Sequence, residues 1–219
     1  MRFDKRLSRR RCFELFKSLS NSLFEEVVAN DRKHEERKKI FSFYIVPNGR
    51  WGGQNERVVD VFYGSRPFES VVERQDDESG MPHFRRRLLT ESGGMITYNI
   101  DSYGLVFCIL YPARTEDITP WEDFIILEKH IDPIFLTGTA ILKRHWKILS
   151  SFSEVRCIDG DPSIVDFVRV YWVLFTKNVC IDGKLQGRRI VKASLQVLYI
   201  SLTVGCSGFL LYLIQLLMK

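Results

Sequence analysis

Three aspartates form the most enzyme-like pattern in this chain. "IDGDP" (158–162) supplies Asp159 and Asp161, and "IDGK" (181–184) supplies Asp182 with Lys184 two positions later. An Asp followed by an Asp-x-Lys pair can hold a divalent cation and activate water in a metal-dependent nuclease or hydrolase. Such a site needs strand context, whereas a helix is predicted between the two halves. "DGK" reads more naturally as a turn. A second pattern is "RWGGQNER" (50–57), where a glycine pair lies beside Arg50, Trp51 and Arg57. Backbone N–H groups and arginines arranged in this way can hold a phosphate, so the loop is a candidate ligand site. A hairpin loop uses the same residues merely to turn.

No phosphate-binding loop, dinucleotide fingerprint, zinc-protease helix, nucleophile elbow or kinase set is present. His34, His83, His130 and His145 are isolated from one another and read as surface or satisfied structural residues. The five cysteines are scattered, with no CxxC pair and no Cys/His cluster at zinc spacing, which suits free thiols in a reducing cytoplasm. The sequence calls for no catalytic residue, no metal and no cofactor.

The remaining chemistry is that of surfaces. Seven basic side chains against Asp4 and Glu14 in residues 1–17 account for the whole net charge of +5. The basic character therefore belongs to the N-terminus and not to the folded body. Arg6, Arg9, Arg10 and Arg11 can sit on anionic lipid headgroups or meet nucleic acid. Tethering to a membrane favours lipid and makes nucleic acid the weaker partner. Acids at positions 4, 14, 25 and 26 interrupt any signal or transit peptide reading.

Residues 193–218 are 26 in number and none is charged. A helix rises about 1.5 Å per residue and a hydrocarbon core is about 30 Å thick, so the run is long enough to span a bilayer with some tilt. Lys184, Arg188, Arg189 and Lys192 precede it and only Lys219 follows. The positive-inside rule keeps the preceding domain in the cytoplasm, as in a tail-anchored protein, and brings Arg188, Arg189 and Lys192 to the headgroups. Ser194, Leu198, Ser201, Gly205, Gly208, Tyr212 and Gln215 recur at alternating steps of four and three, on one helix face. Small residues allow close approach and polar ones hydrogen-bond across helices, so this stripe predicts self-association into a homo-oligomer.

Hydrophobic periodicity and turn residues set the helices and strands that carry these groups. Residues 4–29 form an amphipathic helix with Cys12, Phe16, Leu19, Leu23 and Val27 on its apolar face, and 31–39 are its exposed end or a solvated connector. Strands are predicted at 40–46, 58–64 and 122–131, with a mobile loop at 74–83. Two apolar runs, "MITYNI" and "LVFCILYPA", flank the type I turn Asp101–Gly104 and predict a hairpin whose second strand is central. Helices follow at 137–152 and 162–179. The second is capped by Asp161 with Pro162 in its first turn, and Asp166 can pair with Arg169. Its apolar part is too short to span a bilayer, so it is a buried core helix or one lying at the membrane surface.

The fold class is therefore α+β, a mostly antiparallel sheet flanked by helices, with one C-terminal transmembrane helix. The segments are a basic N-terminal helix (1–39), a cytoplasmic domain (40–192) and the span (193–218). The function expected first is a membrane-anchored module binding a cytoplasmic protein or a ligand such as a nucleotide. An oligomeric effector that perturbs the bilayer is the alternative, and an anchored hydrolase using Asp159, Asp161 and Asp182 is a third.

Overall fold

The computed structural model describes residues 2–50, 55–76, 82–117 and 119–187. A long helix, α1 (Arg2–Val28), and a short one, α2 (Arg32–Lys38), precede the strands β1 (Phe43–Pro47), β2 (Val58–Tyr63), β3 (Ser65–Asp76), β4 (Pro82–Ser92), β5 (Met95–Ile100), β6 (Val106–Tyr111), β7 (Arg114–Thr115) and β8 (Phe124–Ile131). A single 3-10 turn (Pro133–Thr137) leads into α3 (Thr139–Arg156), α4 (Ile164–Thr176) and the strands β9 (Asn178–Ile181) and β10 (Lys184–Gln186). The expectation of an α+β fold with a mostly antiparallel sheet is met. One sheet has seven strands in the order β1-β2-β5-β6-β8-β9-β10 and another three in the order β3-β4-β7, every pairing antiparallel. No helix among the described residues is long and apolar enough to cross a membrane. The predicted span at 193–218 lies outside them.

Alternation along each strand supplies the core. Val59, Val61, Ile96, Tyr98, Val106, Cys108, Leu110 and Ile125 are fully buried beneath α1 and α3. The buried face of α1 differs from the predicted stripe. Phe13, Phe16, Ser20 and Phe24 are buried, while Leu19 is exposed and Cys12 and Leu23 are half-buried. The two stripes lie about one residue apart around the helix. The one with three phenylalanines wins because aromatic rings bury more area against the sheet. The edge of Phe16 meets Tyr98 with ring centroids 5.4 Å apart.

Four further expectations need correcting. The charged segment 31–39 is not simply solvated. Asp31 caps α2, and His34 and Arg37 turn inward. Of the segment 74–83, predicted as a loop, residues 74–76 and 82–83 belong to strands and 77–81 lie outside the described residues; β3 and β4 form a 12- and 11-residue hairpin inserted between β2 and β5. Gly93 seats its neck, since a Cβ there would fall 2.4 Å from the Cβ of Tyr63. The last predicted helix ends at Thr176. Asn178–Ile181 pairs with β8, and Asp182 and Gly183, both at positive φ, form the hairpin turn to β10. Finally, α4 is capped by Ser163 and not Asp161. The Ser163 hydroxyl accepts from the N–H of Asp166, and the Asp166 carboxylate accepts from the N–H of Ser163, a reciprocal capping box.

A buried polar cluster ties α2 to the sheet and to α3. Arg37 donates to Glu154 at 2.5 Å, to the Ser150 hydroxyl at 3.1 Å and to the Tyr63 phenol at 3.0 Å. The Tyr63 oxygen lies 2.7 Å from Nδ1 of His34. Burial pushes the Tyr63 phenol well above its ordinary pKa. It therefore keeps its single proton, which it can donate to an unprotonated Nδ1. Desolvation by burial, reinforced by Lys38, lowers His34 to about 4.

Two outcomes are expected from chemical denaturation of the full chain in detergent. Arg37→Ala leaves Glu154 buried without its cation and lowers stability by roughly 3–5 kcal/mol. Glu36→Ala, on the exposed side of the same helix, stays within about 0.5 kcal/mol of wild type. The second outcome concerns pH. An unfolded histidine titrates near about 6.5, so between there and 4 the unfolded chain takes up a proton that folded His34 refuses. Stability present above pH 6.5 should fall by roughly 3 kcal/mol through His34 as pH drops through that window. His34→Gln should flatten the slope, and a slope unchanged by the substitution would refute this account.

Candidate functional site

The face of the large sheet turned away from the helices carries a side-chain row that crosses four strands. Register places Tyr44 opposite Phe62, Phe62 opposite Met95 and Met95 opposite Tyr111. Tyr44 stacks on Phe62 with centroids 5.3 Å apart, and Tyr111 approaches Phe124 of β8 at 5.8 Å. The next row places Asp60 opposite Thr97. Asp60 is buried, accepting from the Thr97 hydroxyl at 2.7 Å and from the backbone N–H of Arg50 at 3.0 Å. Asn48 and Gly49, both at positive φ, make the turn that brings the Arg50 backbone there.

Over this floor lies a cavity of about 360 Å³ lined by Arg50, Phe62, Tyr111, Arg114, Glu122 and Phe124 among others. That volume is within the range of small-molecule sites. Burial raises the Tyr111 phenol above its ordinary pKa, helped by Asp60 and opposed by Arg50. Glu122 is fully buried; one carboxylate oxygen accepts from Arg156, and the other has no hydrogen-bond partner among the described residues. The site thus offers aromatic faces and two guanidinium groups, above a fully buried carboxylate.

Of the loop predicted to hold a ligand, Arg50 reaches this cavity. Trp51 lies outside the described residues. Arg57 sits at the foot of β2, exposed, with its N–H donated to Asn55, and does not line the cavity. Asp60, Tyr111, Arg114, Glu122 and Phe124 were not singled out in the sequence. Their one signal is alternation, which puts Phe107, Ile109 and Tyr111 on one face of β6.

The other candidates are placed as follows. Among the described residues no three His, Cys, Asp or Glu side chains converge to hold a metal. Asp159 pairs with Arg66, the Asp161 N–H is donated to Glu154, and Asp182 belongs to the β9–β10 turn. His145 is buried between Tyr98 and Glu128, and His130 is exposed. Desolvation by burial lowers the pKa of His145, and its hydrogen bond holds Glu128 at about 2. Arg9 ion-pairs with Asp132 at 2.9 Å and is half-buried, while Arg6, Arg10 and Arg11 are exposed. Arg188, Arg189, Lys192 and the whole stripe from Ser194 to Gln215 lie outside the described residues.

On the helix side, α3 and α4 enclose a hollow of about 510 Å³ whose lining includes Lys143, Arg144, Lys147, Arg169 and Lys177 around Trp172. Its one acid is Glu128, which pairs with Arg144. No family model, no curated protein and no solved structure matches this chain, so its functional reading rests on its own residues.

Proposed function

We propose that this is a single-pass membrane protein whose α+β domain, on the cytoplasmic side, binds a ligand or partner. Its apolar segment anchors the domain and self-associates. The observation that carries the reading is the uncharged run of 26 residues at 193–218, preceded by a basic cluster. The stripe from Ser194 through Gly205 and Gly208 to Gln215 supports association between copies. The sheet-face cavity supports a small ligand that carries a flat ring and an anionic group. The ring lies on Phe62, Tyr111 and Phe124, and the anion meets Arg50 and Arg114. A nucleotide is such a ligand.

The full chain should remain with membranes in alkaline carbonate and run as an oligomer by light scattering in detergent. Gly205→Leu with Gly208→Leu should give monomers that are still membrane-bound. A wild-type monomer would sink the self-association reading, and extraction by carbonate would sink the anchor. Thermal-shift titration with a panel of nucleoside mono- and diphosphates should find one that stabilises the protein. Arg50→Ala should weaken that binding by about tenfold or more through loss of a charged hydrogen bond. No shift with any of them would remove the nucleotide.

A further inference from the structure

The apolar and charged faces of α4 are inverted relative to those of a surface helix in water. Its one carboxylate, Asp166, is buried, accepting from Lys33 at 2.6 Å and from the Ser151 hydroxyl at 2.7 Å. Val170, Val173 and Leu174 pack inward beside it. The opposite face holds no charge. Ile164, Val168, Tyr171 and Trp172 are 83%, 62%, 67% and 61% exposed, flanked by exposed Val165, Phe167 and Phe175. These positions cover a sector of about 160° at the 3.6-residue helical period. A contiguous apolar patch of this kind on a folded surface marks an interaction site.

The inward contacts of α4 leave this face uncovered by the other described residues, and its surroundings say what partner it fits. Lys143, Arg144 and Lys147 of α3, with Arg169 and Lys177 on or next to α4, border the patch at the hollow beside Trp172. Lys147 and Lys177 make no ion pair with a described residue. Greasy aromatic residues beside unneutralised cations match the chemistry of an anionic membrane surface. Tyr and Trp settle at the headgroup level, aliphatic side chains enter the acyl boundary, and lysines meet phosphates. The chain also limits how far away a bilayer can be. From the end of β10 at Gln186 to residue 193, where the uncharged run starts, there are seven residue-to-residue steps. Fully extended, seven residues reach about 25 Å at most.

We propose that α4 is an interfacial membrane-docking helix, lying in the plane of the leaflet with Ile164, Val168, Tyr171 and Trp172 embedded and the Lys147–Lys177 rim on anionic headgroups. This inference rests on the reading of 193–218 as a span. It adds a second contact that fixes the orientation of the domain on the membrane. A single tether leaves a domain free to tumble, whereas a tether and a docked helix together leave one face of the sheet directed at the cytoplasm.

The test uses the full chain reconstituted into vesicles of phosphatidylcholine and phosphatidylglycerol, with bromine carried at a shallow acyl position as a tryptophan quencher. Wild-type fluorescence should be quenched, and the conservative, surface-exposed Trp172→Phe should lose most of that quenching. The difference should shrink in vesicles of phosphatidylcholine alone or when Lys147 and Lys177 are changed to Glu. If Trp172→Phe is quenched as strongly as wild type while the protein stays in carbonate-washed vesicles, the docking inference falls and the anchor stands. If carbonate strips the protein from the vesicles, the anchor fails and the inference falls with it. If Trp172 is not quenched and Val168→Cys forms disulfide-linked dimers, the face belongs to a second copy and the inference is overturned.

Discussion

A buried guanidinium organises this domain. Arg37 comes from a seven-residue helix that is charged at almost every position, and such a helix has little reason to fold on its own. Taking its charge out of water is costly unless every donor is met. Glu154 and Ser150 of α3 and Tyr63 of β2 meet it together. One side chain therefore joins the N-terminal helices, the sheet and the later helices. Burial of Arg37 requires that α3 be placed so that Glu154 faces the sheet, and that Tyr63 lie at the end of β2. Glu154 in turn accepts the N–H of Asp161, so the same cluster sets the start of the connection into α4. Helix α1 thus shares one core with the sheet and the later helices.

What was legible in the sequence was local. The β5–β6 hairpin shows in two apolar runs around Asp101–Gly104, and the Asp101 carboxylate accepts from the N–H groups of Tyr103 and Leu105 as a turn-forming aspartate should. The helical period of α1 was visible, but the choice between two neighbouring stripes depended on the sheet beneath. The β3–β4 hairpin was invisible because its long strands are rich in charge and its pairing comes from the backbone ladder, with no apolar alternation to betray it. The burial of His34 and Arg37 was equally hidden. The partner of Arg37 lies 117 positions away, and no local pattern encodes it. The candidate cavity follows the same division. Arg50 stood out beside its glycines, whereas Arg114, Glu122 and Phe124 join it only through strand order.

The two faces of the domain divide its properties. The helix side buries its polar groups and shows a charge-free aromatic face on α4, bordered by lysines. The sheet side holds an aromatic floor with arginines at its margin. Between them lies a core in which His34 is hydrogen-bonded to Tyr63 and His145 to Tyr98, and burial lowers the pKa of each imidazole. These imidazoles act as cross-links between layers, which is why their titration bears on stability rather than on any chemistry at a surface.

The neck of the inserted hairpin has a consequence of its own. Gly64 and Gly93 are hydrogen-bonded to each other across the base, and the Tyr63 N–H is donated to Gly94 just below. The β2–β5 ladder is therefore already closed before the ribbon begins, and nothing in the large sheet depends on how far the ribbon extends. The base of the ribbon is tied down, with Arg66 paired to buried Glu91 and to Asp159 and the Ile158 N–H donated to Glu91, but beyond that base the ribbon can change in length without disturbing the register of the large sheet.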